Sequence, residues 1–196
     1  GSPSMRYPLQ QKDIAMTQAF LSDNKAKAMA GVIEAERQLG VRLDYMREMA
    51  ELGSPVLDKL QAISMMNRND AGNNLPAEIC AFATLGAVQA EDCGECVQIH
   101  VNIDRAIGIN PRLLQAALDG KPELLPEPLA LAWRFGRAVA ANAPEMEDMR
   151  LVLERQYGRA AMMELAFSIA IARFYPAVKR ALGYAKSCSL VNVQAA

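Results

Sequence analysis

The chain is short of the features that mark many functional classes. It has one histidine, His100, and four cysteines in 196 residues, and its formal net charge is −1 with no basic run. That charge balance argues against nucleic acid or an anionic membrane as the main partner. Four cysteines in so long a chain do not make a disulfide scaffold. No apolar run approaches the ~18–20 residues of a membrane-spanning helix. The best candidate, Leu165 to Ala172, is flanked by Glu164 and Arg173 and reads as a buried helix. Secretory features are absent, so the expected compartment is the cytoplasm. Gly1 to Ser4, ahead of Met5, read as an expression scar. There is no internal repeat, no low-complexity tract and no convincing strand alternation.

What is present is helical punctuation. Hydrophobic residues make up 52% and charged residues 22%, as in a folded protein with a sizeable core. Ser22 is placed to cap a helix with the stripe Ala26, Met29, Ala30 and Ile33, closing at Gly40. Asp44 is placed to cap a short helix through Met46 and Met49. Ser54-Pro55 is a strong start signal, a capping serine before a proline at the first helical position. Residues 67–74 form the clearest loop. Pro76 opens a helix carrying Ile79, Phe82 and Gly86, and Asn110-Pro111 opens another that closes at Gly120. Lys121 to Pro128 reads as a linker into a helix over 129–141, and a further helix covers about 145–157. The last helix, about 160–182, is apolar almost all round, which predicts a central position with a kink or break at Pro176. The expected class is all-α, with an N-terminal helical arm over residues 5–42 and a helical domain over 43–196 that ends in a short tail.

The chemistry concentrates in Glu91-Asp92-Cys93-Gly94-Glu95-Cys96-Val97-Gln98-Ile99-His100. On a helix, C-x-x-C-x-x-x-H puts the sulfurs one turn apart and the imidazole one turn beyond the second. Asp92, with Glu95 three residues on, predicts a capping box, which makes Cys93 the first helical residue. Free N–H groups and the helix dipole favour a thiolate there. His100 can take the proton of Cys96, while Glu91, Asp92 and Glu95 oppose ionisation unless they point away. Two cysteines so spaced form a short-loop disulfide with little backbone movement, so one can attack an oxidant and the other resolve the product.

Taken with Leu75-Pro76, the helix ending at Gly108, Trp133 and the 165–175 segment, this pattern resembles the alkylhydroperoxidase D branch of the carboxymuconolactone decarboxylase-like superfamily. The resemblance spans residues 43–185 and implies a multi-helical bundle in homo-oligomers, trimers or hexamers. It implies peroxidase activity with no cofactor, in which Cys96 attacks the peroxide, Cys93 resolves it as a disulfide and His100 serves a proton relay. An external thiol reductant, a lipoylated or thioredoxin-like protein, is the implied partner. The family's relay glutamate falls at Ala81 here; Glu78, one turn earlier, is the leading substitute, with Glu91 and Glu164 as others.

Other uses of the same residues are open at this level. Cys93, Cys96 and His100 offer three ligands of a zinc site and lack an evident fourth. A thiol-disulfide oxidoreductase or redox sensor would use the pair without peroxide turnover. Cys80 reads as a small buried hydrophobe and Cys188 as a tail thiol.

Overall fold

The computed structural model describes residues 11–66, 74–185 and 191–193. Every regular element among them is helical, so the chain is all-α. Most of the predicted loop at 67–74, and Cys188, lie outside the described residues.

Helix α1 runs Gln11–Leu39, so Ser22 lies inside it and does not cap it. The residues upstream, Gln11 to Leu21, hold no glycine or proline, and helical propensity carries the helix through them. Gly40 (φ 68°) ends it, as expected. In α2 (Asp44–Leu52) the cap residue is Leu43, and Asp44 is the first helical residue. The Leu43 N–H donates to the carboxylate of Glu36 at 2.7 Å, and Arg47 Nε donates to the same oxygen at 2.7 Å. A glutamate from α1 therefore holds the start of the helix through the Leu43 N–H, and no side chain caps it. Helix α3 (Val56–Met66) starts as predicted, with Ser54 Oγ accepting the Val56 N–H at 3.3 Å. These three helices share a core of Val32, Leu43, Tyr45, Met46, Met49, Leu57 and Leu60.

A second, larger core surrounds α4 (Ala77–Ala90), where Ile79 and every residue from Ala81 to Val88 are buried. Around it stand α5 (Gly94–Ala106), α6 (Pro111–Leu118), α7 (Glu127–Ala141) and α8 (Met146–Ala181). Asn110 caps α6 through its side chain, which accepts the Arg112 N–H at 2.9 Å. The predicted linker contains a 3₁₀ turn, Pro122–Leu124, and α7 begins within it. Helix α8 breaks direction at Gly158 (φ 85°, ψ 167°), which separates the two predicted helices.

The central helix is α4, and the 160–182 segment is not. That segment buries Ala161, Met162, Leu165, Ile169, Ala172, Pro176 and Lys179, while Met163 is 62% and Phe167 43% exposed. Its apolar composition runs all round, but one chain covers only one side. The helix passes through Pro176 without a non-helical residue, so the predicted interruption is absent. The reading that no segment approaches spanning length also needs correction. An 18-residue window of α8 has mean hydropathy 1.3 and is 33% buried, long and apolar enough to cross a bilayer by length and composition.

Two glycines set how closely α4 and α7 cross. A Cβ at Gly86 would stand 2.2 Å from the Trp133 carbonyl oxygen, and one at Gly136 would stand 1.8 Å from that of Ala83. Backbone cannot move aside as a side chain can, so the helices must separate to admit a methyl group. Gly136→Ala is expected to destabilise the protein by about 2 kcal/mol or more in urea unfolding. A gain in stability, the outcome helix propensity alone would give, would show that the crossing is looser than this.

Candidate active site

Helix α4 ends at Ala90, and a tight turn reverses the chain into α5. Asp92 makes the reversal in the left-handed region (φ 52°), which aspartate tolerates better than most residues. That geometry removes it as a cap. The N-cap is Cys93 (φ −120°, ψ 90°), whose carbonyl accepts the Val97 N–H at 3.0 Å. The predicted Asp92–Glu95 capping box is therefore absent: the cap falls on Cys93, whose side chain makes no capping hydrogen bond. Cys96 becomes the third helical residue, in the turn whose N–H groups lack intrahelical partners. The positive end of the helix dipole lies at both sulfurs.

Cys93 and Cys96 are paired as a disulfide, with Cα atoms 5.3 Å apart, inside the range such bonds use. Cys93 is 1% exposed and Cys96 4%. An open cleft of about 430 Å³ reaches the pair from the Cys93 side, lined by Val97, Gln89, Leu118, Arg137 and Val191 among others; Cys96 does not line it. Arg137 sits 4.9 Å from the centroid of the Trp133 ring, and Trp133 Nε1 donates to Gln89 Oε1 at 2.7 Å. The C-terminal segment closes one side. Gln98 Nε2 donates to the Asn192 carbonyl at 3.0 Å, the Asn192 N–H donates back to Gln98 Oε1 at 2.7 Å, and Val193 is buried.

The acids beside the cysteines are answered by cations from α8. Arg173 Nε donates to Glu91 Oε1 at 2.6 Å, and Arg180 donates to Glu91 Oε2 at 3.2 Å. Lys179 pairs with Glu95, the residue between the cysteines. The opposition to a thiolate expected from Glu91 and Glu95 is thus largely cancelled. The pairing is asymmetric: the Lys179 side chain is 2% exposed and that of Glu95 37%.

Of the other predicted residues, Glu78 lies exposed in the first turn of α4. Glu164 accepts from Asn74, at 3.1 Å from the backbone and 2.8 Å from the side chain. Cys80 is a half-buried free thiol bonded to Ser168, and burial pushes its pKa up. His100 stands one turn beyond Cys96 on α5 and makes no side-chain hydrogen bond to the other described residues. The protein packed around it lowers its pKa to about 4. Among the described residues, no three His, Cys, Asp or Glu side chains are arranged to hold a metal ion.

Sequence reasoning missed Asp104. It is 3% exposed, its Oδ2 has no hydrogen-bond partner among the described residues, and burial raises its pKa to about 7. The signal was available, because Cys96, His100 and Asp104 follow one another at intervals of four on one helix. No family model, curated protein or solved structure matches the chain.

Two predictions follow from these charges. Glu95→Gln strands a buried ammonium and is expected to cost about 3 kcal/mol at pH 7, whereas Lys179→Met leaves a carboxylate that water can reach and costs about 1 kcal/mol or less. Urea unfolding of the two variants measures the difference, and equal costs would contradict the asymmetry. The second concerns pH. The folded pKa of Asp104 is raised from 3.8 to about 7, so its ionisation lowers stability as pH rises through that window. The folded pKa of His100 is depressed from 6.5 to about 4, so stability rises from pH 4 to 6.5 as the unfolded state loses its extra proton. The two effects oppose each other in the wild type. Asp104→Asn removes the opposing contribution, and stability should then climb more steeply than in the wild type between pH 4 and 6.5, the histidine supplying up to roughly 3 kcal/mol of the rise at about 1.4 kcal/mol per pKa unit. A flat profile in that variant would refute the opposition.

Proposed function

We propose that this chain is a thiol-dependent peroxidase of the alkylhydroperoxidase D-like kind, cycling Cys93 and Cys96 between dithiol and disulfide. The observation that carries the proposal is the Cys93–Cys96 pair at the start of α5, with His100 one turn further along. In the cycle, the Cys96 thiolate attacks the terminal peroxide oxygen. A sulfur–oxygen bond forms as the O–O bond breaks, and the departing alkoxide takes a proton to leave as the alcohol. Cys93 then attacks the sulfenic sulfur of Cys96, water leaves, and the disulfide forms. Two thiols of the external reductant return two electrons and two protons.

The division of labour has structural support. The cleft reaches Cys93 and not Cys96, which suits Cys93 to exchange with a reductant carried on another molecule. A lipoylated or thioredoxin-like protein in the cytoplasm fits that role. Homo-oligomerisation belongs to the same proposal, supported by the uncovered Met163 and Phe167 of α8. The burial of both sulfurs favours one rival, disulfide exchange without peroxide turnover, because a closed site limits access by oxidants. A structural zinc site has less support, since the three candidate ligands are not gathered as a metal-holding group.

The test is peroxide consumption by the reduced, metal-free protein beside Cys96→Ser, with mass spectrometry of the cysteines. Wild type should consume peroxide and accumulate the Cys93–Cys96 disulfide, and the variant should do neither. A pair that stays reduced under excess peroxide would sink the peroxidase reading and leave disulfide exchange.

A further inference from the structure

The acids around the dithiol differ in what neutralises them. Glu91 is held by two arginines and Glu95 by a lysine, Glu164 accepts from Asn74, and Glu78 is exposed. Asp104 has none of these arrangements. It is 3% exposed, and among the described residues its Oδ2 lacks a partner and no cation pairs with it. Arg105 offers no help, because its own Nη1 is buried and unpartnered. An orphaned carboxyl oxygen in a core is costly, and its persistence calls for a role.

The helix supplies one. Cys96, His100 and Asp104 are spaced at i, i+4 and i+8 on α5, so each lies a turn from the next on a common face. From α4, Cys80 faces this region and feels the charge of both Asp104 and Glu164, the latter reaching in from α8. There is also a chemical gap to fill. Burial lowers the His100 pKa to about 4, whereas an ordinary thiol gives up its proton near 8.5. A base so weak takes little from Cys96 without a negative group to support the imidazolium.

We propose that Asp104 is the positioning residue of the dithiol helix: its carboxyl and the His100 imidazole act as one proton-holding pair, and ionised Asp104 makes His100 an effective base for Cys96. The inference rests on the dithiol chemistry proposed above. With Asp104 ionised and His100 neutral, the Cys96 S–H proton passes to the imidazole and sulfur keeps the bonding pair. The carboxylate balances the imidazolium. The thiolate then attacks the terminal peroxide oxygen, which oxidises sulfur by two electrons and reduces the peroxide. The alkoxide collects the proton from His100, and the pair returns to its starting charge.

His100 is the only histidine, so its imidazole resonances in the reduced full-length protein need no assignment by mutation. In the wild type those resonances should respond in two pH steps, one for the imidazole and one for Asp104. Asp104→Asn should remove the second step and slow alkylation of Cys96 by iodoacetamide at pH 7 about tenfold or more, located by fragmentation mass spectrometry. Asp104→Glu should restore part of both. A single step in the wild type overturns the proposal, and that measurement does not depend on how a variant folds. So does a result in which Glu78→Gln, and not Asp104→Asn, removes the step. Neither readout uses peroxide. A coupled titration without peroxide turnover would therefore defeat the peroxidase reading alone, and turnover without coupling would defeat this assignment alone.

Discussion

A lysine buried to 2% exposure is the constraint around which the dithiol region is arranged. An ammonium in that position requires a counter-charge, and Lys179 finds it in Glu95, the residue between the two cysteines. The pairing ties the C-x-x-C turn to α8. Six residues before Lys179, Arg173 extends the same grip: it binds Glu91 and donates to the Ala140 carbonyl at 3.2 Å at the end of α7. Three helix ends thus meet through charges whose first effect is structural. Their second effect is chemical, because a thiolate forming beside two unpaired glutamates would be opposed by both.

This arrangement makes the site depend on contacts remote in sequence. Glu91 and Arg173 are 82 residues apart, and Glu95 and Lys179 are 84 apart. Nothing local announces such pairs, which is why the sign of the electrostatic environment could not be settled from the motif. Features set by neighbours within a turn were legible. Ser54 and Asn110 cap their helices, and Gly40 and Gly108 end theirs in the left-handed region, because caps and stops are local chemistry. Asp92 shows the limit of that logic. Its side chain is a good cap, but the backbone needed a residue tolerant of positive φ at the same position, and that demand prevailed.

The misplaced centre of the fold has a different cause. Composition identified α4 and the second half of α8 alike as apolar, and periodicity does not reveal which of two apolar helices has neighbours on every side. The distinction lies in Gly86 and Gly136, whose missing side chains let α7 close over α4. Among the described residues no equivalent partner covers Met163 and Phe167 of α8. Asp104 was overlooked for a related reason. An acid in a helix usually faces water, and only the packing of neighbouring helices, α4 foremost, against α5 makes this one a buried carboxyl.

Burial also constrains how the site is used. Cys93 and Cys96 are almost wholly shielded, and the cleft opens beside Cys93, at the N-terminal rim of α5. The cleft meets Cys93, while Cys96 lies outside its lining with His100 one turn further along α5. Under the proposed dithiol cycle, a reductant carried on a protein would meet the sulfur at the rim. The same shielding lowers the local dielectric, which holds the His100 pKa down to about 4 and the Asp104 pKa up to about 7. The closed site and the shifted imidazole and carboxyl are two consequences of the same packing around α5, to which α4 contributes most.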